Sequence, residues 1–475
     1  MVTLLLLLAV AGVGLVGLFL ASQMSRRDPV AVLTVYLGFL YVLPARLVVG
    51  PLSDIGTPAV MLALVCALWW FLSRINPALA LPQEPQPLRW LMGAYVWFCG
   101  VSLCFAWLRH LSDVEANSSL RSFAALIAGS GVAMLIAEGV RERDRLDTFT
   151  RRLTAVGALM ALIGVIQFTT GFDPVQFIRV PGLTLKSELF GVGSRSIFNR
   201  PFGTALHPIE YGVVCVGLIP IALHHAFYGP SRRVRRLATT AVLLLGAGGA
   251  MSLSRSAMVA AVVGLLTLSL AWSARRRLHM AVMGGVFCCA MWAVVPGLLG
   301  TIRSLILNAG SDPSITARTE RFPRVVELVR ESPVVGIGFG TYNQEDYFLL
   351  DNELYRTAIQ NGLLGLGLTL LLLLGAAALA HRAGVLSQAA ETRHLGQALA
   401  SSILAITSSL ATFDAFFYRI LYGTLFVLMG CAGALYTIVR LERMRQRERE
   451  LGIRPLAVPP TVAPTRHNTV DAHAP

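Results

Sequence analysis

The stretch AIQNGLLGLGLTLLLLLGAAALA, Ala358–Ala380, runs for 23 residues without a charged side chain. About 20 residues at a rise of 1.5 Å cross the hydrocarbon of a bilayer, so the stretch reads as a membrane-spanning helix. Its neighbours have the same character. The 475-residue chain is 55% hydrophobic and 14% charged, with mean hydropathy +0.65. Soluble domains carry about 25% charged residues, so the composition points to lipid. The apolar residues come in long blocks rather than the alternation of a barrel strand. Helices that satisfy their own backbone are therefore expected.

About 13 spans follow from these blocks. Seven precede the middle of the chain: Thr3–Leu20, Val30–Leu43, Val60–Leu72, Trp90–Leu108, Ser122–Val140, Leu153–Thr170 and Ile209–Phe227. Six more are Ala238–Met251, Ala257–Trp272, Ala281–Leu299, Ala358–Ala380, Leu399–Thr412 and Ile420–Val439. Arginine clusters fall in alternate connections, at Arg26-Arg27, Arg141–Arg152, Arg232–Arg236, Arg275–Arg277 and Arg440–Arg449. The positive-inside rule then places an external N-terminus and a cytoplasmic C-terminus on a multi-pass protein of the cytoplasmic (inner) membrane. The chain divides into N-terminal spans (1–170), a membrane domain with long external loops at 171–207 and 301–354 (171–439), and a basic, disordered tail (440–475). The first run carries its charges after the apolar stretch and lacks a cleavage site, unlike a removed signal peptide.

The formal net charge is +14, but the arginines lie between apolar runs, so nucleic acid is not the expected partner. Lys186, the one lysine, does not follow a glycine, which excludes a phosphate-binding loop of the Gly-Lys-Ser/Thr type. The seven cysteines lie in spans without C-x-x-C spacing and read as buried apolar residues, not as metal ligands.

Charge on the outer side is the informative anomaly. Arg200, Gly203 and His207 stand in RPFGTALHP before the seventh span. Arginine forks suit phosphate oxygens, while His207 before a proline also fits a helix cap. Arg255 lies in the short turn MSLSRSAM among serines, a costly position unless paired. Pro313 opens an amphipathic segment with Phe322, Val325, Val326 and Val329 on one stripe and Arg318, Arg321 and Arg324 off it. That helix is expected to lie on the membrane surface, apolar face down, with Pro323 kinking or dividing it. Asp351-Asn352 precede the eleventh span, and Asp351 suits either a general base or the helix cap.

In order and spacing these residues resemble the O-antigen ligase and polysaccharide polymerase family of bacterial membrane glycosyltransferases. The resemblance rests on Arg200–Gly203, Ser254–Ser256, Ser314 with Arg318, SPVVGIGFG at Ser332–Gly340, and the acid-Asn pair before GLLGL at Gly362–Leu366. It implies an all-α polytopic membrane protein of GT-C-like fold, an inverting glycosyltransferase that needs no metal, nucleotide sugar or other cofactor. The donor would be an undecaprenyl-diphosphate-linked oligosaccharide, used at the external face. Arg255 and Arg318 would hold the diphosphate, Asp351 would act as base, and Arg200, Arg321, His207, Asn352 and Gly338 would bind substrate. Ligases of the family carry His-Asn where this chain has Asp351-Asn352, so a polysaccharide polymerase is favoured over an O-antigen ligase. A flippase and a chain-length regulator are the expected partners. The alternatives from other classes are a lipid-linked glycan transporter or flippase, and a non-catalytic subunit of an export complex.

Overall fold

The computed structural model describes residues 28–50, 55–76, 79, 81, 84–185, 193–195, 198–297, 300–301, 303, 313–344 and 347–451, with side chains of 193–195 and 313–319 left aside. The expected first span, Thr3–Leu20, lies outside them, as do Lys186 and most of the tail. Among the described residues there are thirteen α-helices. They are α1 (Pro29–Tyr41), α2 (Pro58–Leu72), α3 (Pro87–Ala106), α4 (Asp113–Gly139), α5 (Arg143–Thr170), α6 (Pro208–Tyr228) and α7 (Arg232–Met251). After these come α8 (Arg255–Ser269), α9 (Ala274–Val294), α10 (Pro313–Glu331), α11 (Glu353–Leu386), α12 (Ala390–Ser409) and α13 (Arg419–Glu450). All of these but α10 correspond to expected spans.

Seven helices (α3, α4, α5, α6, α9, α11 and α13) are long and apolar enough to cross a membrane, and α1, α2 and α8 are shorter apolar helices. The protein is a multi-pass, all-α membrane protein. Helix α12 is less apolar because it runs through the interior: Gln397, Ser401 and Ser402 are buried against protein rather than lipid. One buried core extends from Val30 to Val439. Among the described residues, strands are confined to two small antiparallel pairs, β1 (Leu47–Val48) with β2 (Thr184–Leu185) and β3 (Gly193–Arg195) with β4 (Phe198–Arg200).

The two ends of the bundle differ. One end gathers the N-termini of α6, α11 and α13, and a cavity opens there. The other end gathers the arginine-rich connections. Buried Glu138, at the end of α4, pairs there with Arg74 and with Arg89 at 3.1 Å, tying α2, α3 and α4 together.

Three expectations need correction. Helix α10 does not bury its stripe in lipid. Val325 and Leu328 are buried against Tyr342, Leu350 and Ile359 of the protein itself, and the Phe322 ring lies tilted against that of Tyr355, 5.8 Å between centroids. Those neighbours offer the apolar surface that the membrane was expected to supply. Nor does Pro323 divide the helix, which continues through it. Cys104, Cys288 and Cys289 are exposed on outward helix faces, not buried.

Helix α11 is broken at Gly362 (φ 64°). Its freed groups are taken up by the segment before it. Ile337 and Gly338 amides donate to the Ile359 and Gln360 carbonyls, both at 2.9 Å, and the Leu363 amide donates to Pro333 O at 2.8 Å. The Ser102 hydroxyl of α3 adds its one donation here, with Val335 O at 2.8 Å and Gln360 O at 3.2 Å both in reach. A β-carbon at position 362 would meet the Val334 carbonyl carbon at 2.4 Å, so glycine serves here for both its dihedral and its lack of bulk.

The end assignment is open to test. In a background lacking the three exposed cysteines, a probe at His110→Cys, at the cavity end, should react with an impermeant maleimide from outside the cell. A probe at Gln388→Cys should react only after permeabilisation. The reverse pattern would invert the topology.

Candidate active site

The cavity has a volume of about 940 Å³. Its floor is the start of α11. Asn352 is buried and caps that helix: its Oδ1 accepts the Tyr355 amide at 3.1 Å, and its Nδ2 donates to Ala411 O at 3.0 Å. Its own amide donates to Asp414 Oδ1 at 3.0 Å. The capping role thus belongs to Asn352 and not to Asp351. Asp351 is half-buried, lines the cavity and holds φ at 50°, a left-handed conformation that Asp and Asn tolerate better than most residues.

The other wall belongs to α6 and α13. Gln167 of α5 holds the turn before α6, its Oε1 accepting the Phe202 and Gly203 amides at 3.0 and 2.7 Å. Buried Glu210 accepts the Leu206 amide at 2.9 Å and the Ile420 and Leu421 amides at 2.8 and 3.2 Å, capping α13. His207 caps α6 through Nδ1, which accepts the Ile209 amide at 3.1 Å, and also lines the cavity. Burial, with Arg200 adding to it, pushes the His207 imidazole down to about 4, so the ring is neutral near pH 7. Its ring lies 5.8 Å from that of Tyr418, whose hydroxyl is held above its usual range by burial and by Glu210, Asp414 and Asp351.

Arg200, at the end of β4, donates from Nε to Ser252 O at 3.3 Å. This brings it to the α7–α8 turn, where Arg255 is the first residue of α8 and Ser254 accepts the Ala257 amide at 3.4 Å. That hydrogen bond ties the loop carrying Arg200 to the turn that leads into Arg255, and Arg200 acts electrostatically on His207, but neither arginine lines the cavity. Leu253 in this turn (φ 49°) and Asp351 are the only non-glycine residues with positive φ among the described residues. Backbone strain of this kind concentrates at functional sites.

The remaining sequence candidates lie elsewhere. Arg318 is in α10, but its side chain lies outside the described residues. Arg321 is half-buried on the same helix and does not line the cavity. Gly338 does not line it either. Its amide is committed to Gln360 O, and a β-carbon there would meet that of Ala106 at 2.2 Å.

Residues 240–370 match the family model Wzy_C, O-Antigen ligase. The likeness is confined to this segment. No curated protein matches the chain. The matched segment runs from within α7 to just past the break in α11, and so contains Arg255, α10, the glycine-rich loop and Asp351-Asn352. The cavity reaches well beyond it, to Tyr95 of α3, Arg121 of α4, His207, Asp414 and Arg419.

Several of these were missed in the sequence. Asp414 binds the Asn352 amide and lies 4.0 Å from Arg356, whose guanidinium sits over the Tyr342 ring. Glu353 accepts the Phe416 amide at 2.9 Å. Each is a charge at the mouth of a span, the signal that singled out Arg255 but was not applied to the acids.

Replacing Asn352 with Ala should lower detergent-solubilised stability by about 1–3 kcal/mol, because it removes the α11 cap and leaves buried partners unmet. Asp351→Asn, which leaves the cap intact, should have a much smaller effect on the melting temperature. The opposite order would contradict the division of roles between these neighbours.

Proposed function

We propose that the protein is a glycosyltransferase that lengthens or transfers a lipid-diphosphate-linked glycan at the cavity, a polysaccharide polymerase in preference to an O-antigen ligase. The observation that carries the reading is that Asn352 caps α11, which leaves Asp351 at the cavity wall, where it and Arg200 both act on Tyr418. In this reading the acceptor hydroxyl loses its proton to the Asp351 carboxylate as its oxygen attacks the anomeric carbon from the face opposite the leaving group. The bond from that carbon to the diphosphate oxygen breaks, with inversion, and undecaprenyl diphosphate departs with the electron pair.

Arg255 and Arg200 stabilise the charge that grows on the diphosphate, with Arg318 and Arg321 as lesser candidates. Asp414 acts as a positioning residue through Asn352. Tyr95, Tyr342, Phe416 and Tyr418 present ring surface to a sugar, among the polar side chains of Asn117, Arg121 and Gln344. An aspartate base suits a sugar hydroxyl on a second lipid-linked unit, which favours the polymerase. Inner-membrane location, an outward-facing cavity and a cytoplasmic C-terminus follow from the arginine distribution. The catalytic unit proposed for 171–439 draws on α3 and α4 as well.

One observation favours the second reading, a flippase: α11 is discontinuous, as in many transporters. The freed carbonyls of that break, however, bind the protein's own Ile337 and Gly338 amides rather than facing a transport path.

In cells, Asp351→Asn should slow transfer by about 10²–10⁴-fold, the usual worth of a general base. It and Arg255→Ala should each leave short or single-unit glycans at normal protein levels. Full-length polymer from both variants would remove the enzymatic reading.

A further inference from the structure

At the end of the bundle away from the active-site cavity, a second cavity of about 300 Å³ lies between the last turns of α6, α8 and α11 and the start of α12. Arg276, Arg393, His381 and Tyr228 contribute polar groups to its wall, and no carboxylate lines it among the described residues. We propose that this cavity binds a phosphate-bearing anion, the headgroup of an anionic phospholipid.

The wall is built for an acceptor-rich ligand. The Arg276 guanidinium lies over the Phe227 and Tyr228 rings, 5.2 and 5.8 Å from their centroids, and donates from NH1 to Tyr228 Oη at 3.2 Å. One of its five N–H groups is thereby used, and the tyrosine hydroxyl keeps its own proton for another acceptor. Gln397 donates from Nε2 to Thr267 O at 2.7 Å, which turns its Oε1 toward His381 Nδ1 at 2.8 Å. His381 therefore carries its proton on Nδ1, toward Gln397. Arginine forks match phosphate oxygens, and basic pockets between membrane helices accommodate lipid headgroups. Leu270 and Val385, 71% and 66% exposed, flank the cavity with apolar surface suited to acyl chains.

His394 closes the cavity without supplying a donor. Trp272 donates from Nε1 to His394 Nε2 at 2.9 Å, so His394 carries its proton on Nδ1, which faces His224 Nδ1 at 3.3 Å. His224 is then protonated on Nε2, toward Asp147 3.9 Å away. Asp147, His224 and His225 place ligand-type atoms within 4.8 Å of one another, but this pattern occupies the His224 nitrogen a metal would need. Asp147 is in addition paired with Arg143 at 2.5 Å, which leaves the neighbouring cavity its positive balance.

The full chain, delipidated in neutral detergent, would be titrated with dioleoyl-phosphatidylglycerol, dioleoyl-phosphatidylcholine or inorganic phosphate, with bound species read by native mass spectrometry and stability by melting temperature. Phosphatidylglycerol should bind saturably and raise the melting temperature, with phosphatidylcholine well behind. The double variant R276Q/R393Q should bind about ten-fold more weakly. Arg393→Gln alone, at an exposed side chain that donates to the Gln388 carbonyl, should weaken binding without altering the lipid-free melting temperature. Saturation by inorganic phosphate alone, lost in both variants, would keep the anion site and assign it to a soluble phosphate. Equal response to phosphatidylcholine, or undiminished binding in both variants, would overturn the proposal.

Discussion

A backbone carbonyl at membrane depth needs a donor, and the architecture around the active-site cavity depends on how the break in α11 meets that need. Gly362 interrupts the helix, and Pro333–Gly338 closes the interruption with three backbone hydrogen bonds. The same closure fixes the path of the loop that follows. It brings Phe339, Gly340 and Tyr342 to the cavity and holds the short first part of α11 against the α12–α13 connection. The glycines of SPVVGIGFG are therefore packing glycines. Their similarity to a nucleotide loop is confined to composition.

Carboxylates perform a second task of the same kind. Glu210 satisfies the first amides of α13, and Asp414 binds the Asn352 amide, so two helix N-termini end in buried acids rather than in water. With these ends fixed, Asn352 is free to cap α11, and Asp351 is turned to positive φ beside the cavity. The candidate base is thus placed by its neighbours. The arginine turn at the other edge shows the same economy of strain, with Leu253 at positive φ just before Arg255.

Most of the fold was legible in the sequence because apolar length alone specifies a membrane helix. Twelve of the expected spans correspond to helices, and Thr3–Leu20 lies outside the described residues. The site was legible only in part. Arg200 and Arg255 stood out as charges against the usual bias, and the structure ties Arg200 to Ser252, in the turn just before Arg255. What could not be read was which neighbour of a pair caps a helix, since Asp351 and Asn352 are both good caps by composition. The position of α10 was equally hidden: an amphipathic stripe shows that a surface will be covered, not whether lipid or protein covers it. Asp414, Glu353 and Arg356 are brought together by contacts between residues about sixty positions apart, which no local pattern records.

The most direct measurement is reconstitution of the purified chain in liposomes with a defined undecaprenyl-diphosphate oligosaccharide and no nucleotide sugar. The account predicts products longer than the donor unit, released undecaprenyl diphosphate in matching amount, and loss of both with Asp351→Asn. Movement of intact donor across the bilayer without any lengthened product would contradict it.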